Sequence, residues 1–170
     1  IDASGARGFV LAYGGEGDDL ITGSAFDDHI VGGAGSDTLH AGDGRDHVYG
    51  DNGLNIDLSV RRELQPQLIS IAYEQDPAGP GYEAQTGDAL SQSYADSITG
   101  AGENIILSDF GVIEQVANTN RAFNTANVTR VASVRETEGS DDTISTTGTG
   151  FDWIIAGAGA DRITSGGGTD

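Results

Sequence analysis

Large aliphatic residues recur every nine positions near the start of the chain, each set in a polar frame. Residues 14–49 divide into four units: GGEGDDLIT, GSAFDDHIV, GGAGSDTLH and AGDGRDHVY. The eighth place of each holds Ile21, Ile30, Leu39 or Val48. Places seven to nine predict a short strand whose eighth residue points inward and whose neighbours point outward. His29, Thr38, His40, His47 and Tyr49 are therefore expected outside, with His29 and His47 on one face. Glycines at the first, second and fourth places allow positive φ and predict a tight loop. Two units make one circuit, so loops eighteen residues apart are expected to stack.

The sixth place brings in chemistry. It holds Asp19, Asp28, Asp37 and Asp46. Stacking places Asp19 near Asp37, and Asp28 near Asp46. Carboxylates that close repel one another unless a cation lies between them. A hard cation with oxygen ligands fits, and two carboxylates with several loop carbonyls approach the six to eight oxygens that calcium takes. Magnesium fits less well, because it demands strict octahedral geometry and holds its waters.

The unit G-G-x-G-x-D-x-U-x, with U a large aliphatic, is a known calcium-binding repeat pattern. In these four tandem units the chain resembles the RTX (repeats-in-toxin) family. The resemblance implies an all-β fold, a parallel β-roll (β-solenoid) with β-rich insertions and no substantial helix. It implies Ca2+ as the bound ion. It also implies ligand sets: Gly14, Glu16 and Asp19 with Gly33, Gly35 and Asp37, then Gly23, Ala25 and Asp28 with Gly42, Gly44 and Asp46. A third site would join Asp37 to the loop ending at Asn55, where an uncharged amide replaces the carboxylate and predicts weaker binding.

The pattern continues unevenly. Residues 5–13 keep the register but carry Val10 at the aspartate place, a step without a carboxylate. Near the end, TGTGFDWII, AGAGADRIT and SGGGTD place Asp152, Asp161 and Asp170 sixth, and an earlier unit out of phase carries Asp142. The expected pairs there are Asp152 with Asp170 and Asp142 with Asp161. Between these blocks, LNIDLSV, QLISIAY, ENIILSDFGVIEQV and NVTRVASV read as strands, and PAGPGYEAQTGDALSQS reads as a loop. DHVYGDNG, NIILSDFG and DWIIAGAG align with one another, and ADSITG resembles DDTIST. Asp96 and Asn104 then belong to a degenerate middle segment, between β-rich insertions of about 40 residues. The predicted division is an N-terminal roll over residues 1–55, insertions over 56–136 with roll-like residues 95–111, and a C-terminal roll over 137–170. Ile1 resembles an eighth place and Asp170 a sixth, so a segment of a longer array is expected, with copies joined end to end.

Composition narrows the function. Hydrophobic residues make up 36% of the chain and aromatics 6%, which suits a thin core better than a large one. The net charge of −19 opposes compaction without cations, so folding and metal binding should be linked. It also argues against nucleic acid and against anionic membrane as partners, and no segment is apolar enough to span a bilayer. Cysteine is absent, which removes thiol chemistry and disulfides. Neither H-E-x-x-H nor G-x-S-x-G occurs, so no enzyme is expected. An ice-binding face needs a regular outward Thr or Asn array, and Leu20/Thr22, His29/Val31, Thr38/His40 and His47/Tyr49 do not supply one.

The reading that follows is a calcium-rigidified segment of a large secreted or bacterial cell-surface protein, such as an adhesin, surface-layer or fibre protein, folding after type I secretion. The alternatives are a non-catalytic region of a secreted hydrolase or toxin, and a glycan- or protein-binding module that acts through its inserts.

Overall fold

The computed structural model describes residues 1–51, 53–57, 93–116, 125–133 and 139–170. Every regular element among them is a strand. In chain order these are β1 (Leu11–Glu16), β2 (Leu20–Thr22), β3 (His29–Ala34), β4 (Thr38–His40), β5 (Arg45–Tyr49), β6 (Gly53–Asp57) and β7 (Ser97–Ala101). Then follow β8 (Glu103–Leu107), β9 (Gly111–Gln115), β10 (Val128–Ser133), β11 (Thr143–Thr147), β12 (Trp153–Ile155) and β13 (Arg162–Thr164).

The chain alternates between two five-stranded parallel sheets, β1-β3-β5-β8-β12 and β2-β4-β7-β11-β13. One pass through both sheets forms a level. Leu11 lies opposite His29 and His29 opposite His47, while Leu20 lies opposite Thr38, the eighteen-residue step expected. Ile21, Ile30, Leu39 and Val48 are fully buried. Ile98, Ile106 and Ile144 continue the same column, and Ala12, Ala41 and Ala156 fill the gaps between the large side chains. One aliphatic per strand thus supplies the core.

The stack runs through the middle of the chain without a break. Thr38 pairs with Ser97 and Ser97 with Thr143, while Asp46 pairs with Asn104 and Ile105 with Trp153. Counting loop places along this register locates both insertions. One loop is Gly50-Asp51 followed by Ser93-Tyr94-Ala95-Asp96, and the next is Ser108-Asp109 followed by Gly139-Ser140-Asp141-Asp142. Residues 52–92 and 110–138 therefore enter between the second and third places of successive loops on one edge. The chain leaves the stack at Asp51, ahead of the boundary expected at residue 55. The segments QLISIAY and PAGPGYEAQTGDALSQS and the tail of NVTRVASV lie wholly or partly outside the described residues.

The described parts of the inserts form a third sheet, β10-β9-β6, with β6 and β9 parallel and β9 and β10 antiparallel. It packs on the outer face of the first sheet, where Ile113, Val128 and Val131 meet Tyr49, Ile105 and Leu107. This corrects one expectation: His47 and Tyr49 point away from the inner core yet are buried, because the insert sheet covers them. His47 Nε2 lies 2.9 Å from the Thr125 carbonyl oxygen, and the His29 and His47 rings meet edge to face at 4.8 Å.

Candidate metal centre

The sixth-place carboxylates form a hydrogen-bonded ladder along each edge. Oδ1 of Asp28, Asp37, Asp46, Asp96, Asp142, Asp152 and Asp161 accepts the backbone N–H of the sixth-place residue one level earlier. Asp19 donates to Asp37 at 2.8 Å, Asp28 to Asp46 at 2.8 Å and Asp142 to Asp161 at 3.0 Å. The loops of Asp152 and Asp170 stack through Gly167 N and Gly148 O at 2.8 Å. Asp170 itself is exposed and Asp161 half-buried, whereas Asp28, Asp37, Asp46, Asp142 and Asp152 are buried.

The second oxygen of each group carries the functional signal. Oδ2 of Asp19, Asp37, Asp46, Asp96 and Asp142 is buried without a hydrogen-bond partner, and so is Oδ1 of Asn104. Burying a carboxylate oxygen unpaired is costly. Desolvation, with repulsion from neighbouring carboxylates, raises Asp37 and Asp142 to about 6, Asp46 to about 8 and Asp96 to about 9. A bound cation removes that cost by giving each orphan oxygen a positive partner.

The loops leave room for this and little else. The first-place glycines Gly14, Gly23, Gly32 and Gly50 each face their own loop's carboxylate and the first-place carbonyl of the next level, so a Cβ would collide there. Positive φ belongs to the second and fourth places, as at Gly33 (117°) and Gly35 (126°). The first-place glycine is therefore required by space rather than by φ, contrary to the sequence expectation. Among the described residues no three His, Asp or Glu side chains converge as a metal centre. An ion here needs loop carbonyls as well as carboxylates, the mixed oxygen set that suits calcium.

Two loops depart from the pattern. Asp28 is satisfied by the protein itself: Ser24 N donates to its Oδ2 at 2.6 Å, and Ser24 Oγ and Val10 N donate to its Oδ1 at 2.9 and 2.7 Å. Asn104 instead donates from Nδ2 to Asp152 Oδ1 at 2.9 Å.

The third expected pair is corrected. Asp37 does not continue to Asn55, which lies in β6 opposite Ile113. Its partner is Asp96, whose Oδ1 accepts the Asp37 N–H at 2.8 Å. Asp96 in turn donates to Asp142 at 2.8 Å. The insertion separates the two halves of this loop, so Asn55 occupies the sixth place in sequence only.

Further carboxylates, outside the expected set, join the same loops. Asp51 and Asp109 sit at the second place immediately before each insert. Each accepts an N–H across the cut, from Tyr94 at 3.2 Å and from Ser140 at 3.3 Å. Asp109 also takes Ala158 N at 2.9 Å. Aspartate there replaces the glycine, serine or alanine that fills the second place in the other loops. At the fifth place, Asp18, Asp27 and Asp141 each accept an N–H from the next level, at 2.9, 3.0 and 2.7 Å.

Comparison with known proteins agrees with this geometry. The family model for the RTX calcium-binding nonapeptide repeat, in four copies, matches residues 3–29, 22–56 and 138–170, just over half of the chain. No curated protein and no solved structure matches the chain. The nine-residue register, the loop carboxylates and the family match lead to one assignment: the chain belongs to the RTX calcium-binding nonapeptide repeat family.

Proposed function

We propose that the two parallel sheets are the faces of a calcium-stabilised parallel β-roll, and that the chain is a structural segment of a secreted or cell-surface protein. RTX nonapeptide repeats bind calcium, which makes this chain a calcium-binding structural segment. The observation that carries the finer reading is the row of buried, unpartnered Oδ2 atoms at Asp19, Asp37, Asp46, Asp96 and Asp142. In this reading Asp19 and Asp37 hold one ion with carbonyls of Gly14, Glu16, Gly33 and Gly35. Asp28 and Asp46 hold a second with Gly23, Ala25, Gly42 and Gly44, provided that Ser24 yields its hold on Asp28. The Asp19–Asp37 edge continues through Asp37–Asp96, Asp96–Asp142 and Asp142–Asp161, and the Asp28–Asp46 edge through Asp152–Asp170.

Such sites suit an extracellular setting, where calcium is millimolar. A chain with a formal charge of −19 stays open where calcium is scarce and closes where it is abundant. That behaviour fits export followed by folding, and a rod-like role in an adhesin, surface layer or fibre. No helix among the described residues is long and apolar enough to cross a membrane. The test is circular dichroism and thermal melting of the chain with chelator and with millimolar calcium. Strand signal and melting temperature should both rise with calcium, and identical curves would overturn the reading.

A further inference from the structure

The insert sheet covers the middle of the first sheet, whereas no strand among the described residues packs on the outer face of the second. Its outward places flank the buried column Ile21, Leu39, Ile98 and Ile144. One outward row reads Thr22, His40, Thr99, Ser145 and Thr164, in register across five strands. The row beside it contains Thr38, Ser97 and Thr143. Consecutive nine-residue units alternate between the sheets, so Leu20/Thr22 and Thr38/His40 lie on this face and His29/Val31 and His47/Tyr49 on the other.

The first row lines the floor of a shallow groove of about 420 Å³, which crosses four levels from Thr22 to Ser145. Ser24, Asp43 and Ala101 form part of its wall. His40 Nδ1 lies 2.7 Å from Thr99 Oγ1, while the hydroxyls of Thr22 and Ser145 make no hydrogen bond among the described residues. The groove therefore offers hydrogen-bonding side chains at a pitch of about 4.8 Å along the stack. Its described lining has no Phe, Tyr or Trp ring, so hydrogen bonds rather than broad ring stacking are what it offers.

We propose that this groove binds an extended neutral polysaccharide, lying along the stack axis and held by hydrogen bonds from Thr22, His40, Thr99 and Ser145. A pyranose chain presents hydroxyls at a repeat close to the strand spacing. The chain's charge of −19 and the carboxylate of Asp43 in the wall repel polyuronates and phosphorylated polymers, which selects for a neutral ligand. Each ring contributes little, so affinity grows with the number of levels engaged at once.

The test is affinity electrophoresis of the whole chain in millimolar calcium, through gels containing a neutral β-glucan, a mannan, a galactan or a polyuronate. Retardation by at least one neutral polymer and none by the polyuronate is expected. Thr99→Val with Ser145→Ala should weaken that retardation about tenfold with calcium-dependent melting unchanged, and Thr99→Ser should retain it. Independently of any substitution, the His40 ring resonances should shift on titration with a short oligosaccharide of the retarding polymer, and those of buried His47 should not. No retardation by any neutral polymer overturns the proposal, as does stronger retardation by the polyuronate or equal retardation of the double variant. Shaping of ice crystals without polysaccharide binding also overturns it, in favour of ordered water as the ligand.

Discussion

The backbone N–H of Asp37 reaches Oδ1 of Asp96 at 2.8 Å across fifty-nine residues of chain. The corresponding bond from Asp19 to Asp37 spans eighteen, at the same length. The insert therefore leaves the ladder geometry unchanged. Excising residues 52–92 should join Asp51 to Ser93 and restore a nine-residue unit, Gly50-Asp51-Ser93-Tyr94-Ala95-Asp96-Ser97-Ile98-Thr99. The shortened chain is expected to keep its calcium-dependent strand signal in circular dichroism. Loss of the calcium response would show that the insert, rather than the ladder, organises this loop.

Asp96→Asn keeps the Oδ1 acceptor but removes a charge, and its effect should change sign with calcium. In calcium it deletes half of a charged ligand pair and should destabilise by about 1–3 kcal/mol, a fall of several degrees in melting temperature. In chelator it relieves repulsion from Asp37, Asp51 and Asp142 and should raise the melting temperature. Asp43→Ala, at an exposed third place, should stay within about 0.5 kcal/mol in both. A drop for Asp96→Asn in both conditions would mean that the side chain is only a hydrogen-bond strut.

The pH dependence should also invert. Asp46, Asp51 and Asp96 are raised to about 8, 8 and 9, chiefly by desolvation. A group raised in the fold stabilises it fully below the unfolded value of about 3.9 and loses that contribution as pH climbs through the folded value. The calcium-free chain should therefore be most stable near pH 4 and weaken steadily towards pH 9. With calcium present, protons and metal compete for the same oxygens, so apparent calcium affinity should rise over that range. Melting curves at stepped pH, with and without chelator, check both slopes.

Two glycines separate space from conformation. Gly32→Ala would drive a methyl group into the Asp37 carboxylate and the Gly50 carbonyl, and should cost about 1–3 kcal/mol. Gly5→Ala meets nothing within 4 Å and has no positive φ, so it should be neutral within about 0.5 kcal/mol. Equal melting temperatures for the two variants in calcium would contradict the tight first place.

The nine-residue register was legible because each place carries a different physical demand, from turn to charge to burial. Ile21 and Asp37 could be placed from spacing alone. The interrupted loops were not legible, because spacing has no meaning across an insert. Gly50-Asp51-Asn52-Gly53-Leu54-Asn55 imitates a further unit until its sixth place, which drew Asn55 into a role that Asp96 holds. The burial of His47 was hidden for the same reason, since Val128 and Val131 of its covering sheet lie some eighty residues away in the chain. The hydroxyl face needed the sheets to be sorted before Thr22, Thr99 and Ser145 could be seen as one row.

Both inserts leave their loops at the same place, on adjacent levels about 4.8 Å apart. That spacing is far smaller than the width of any independently folded unit. Strands that leave the stack so closely already stand at sheet spacing, and β6 and β9 pair in parallel there. The stack thus acts as a ruler for whatever is grafted onto it: an insert on a third consecutive level would have to add a strand to the same sheet, whereas one placed several levels away would be free to fold alone.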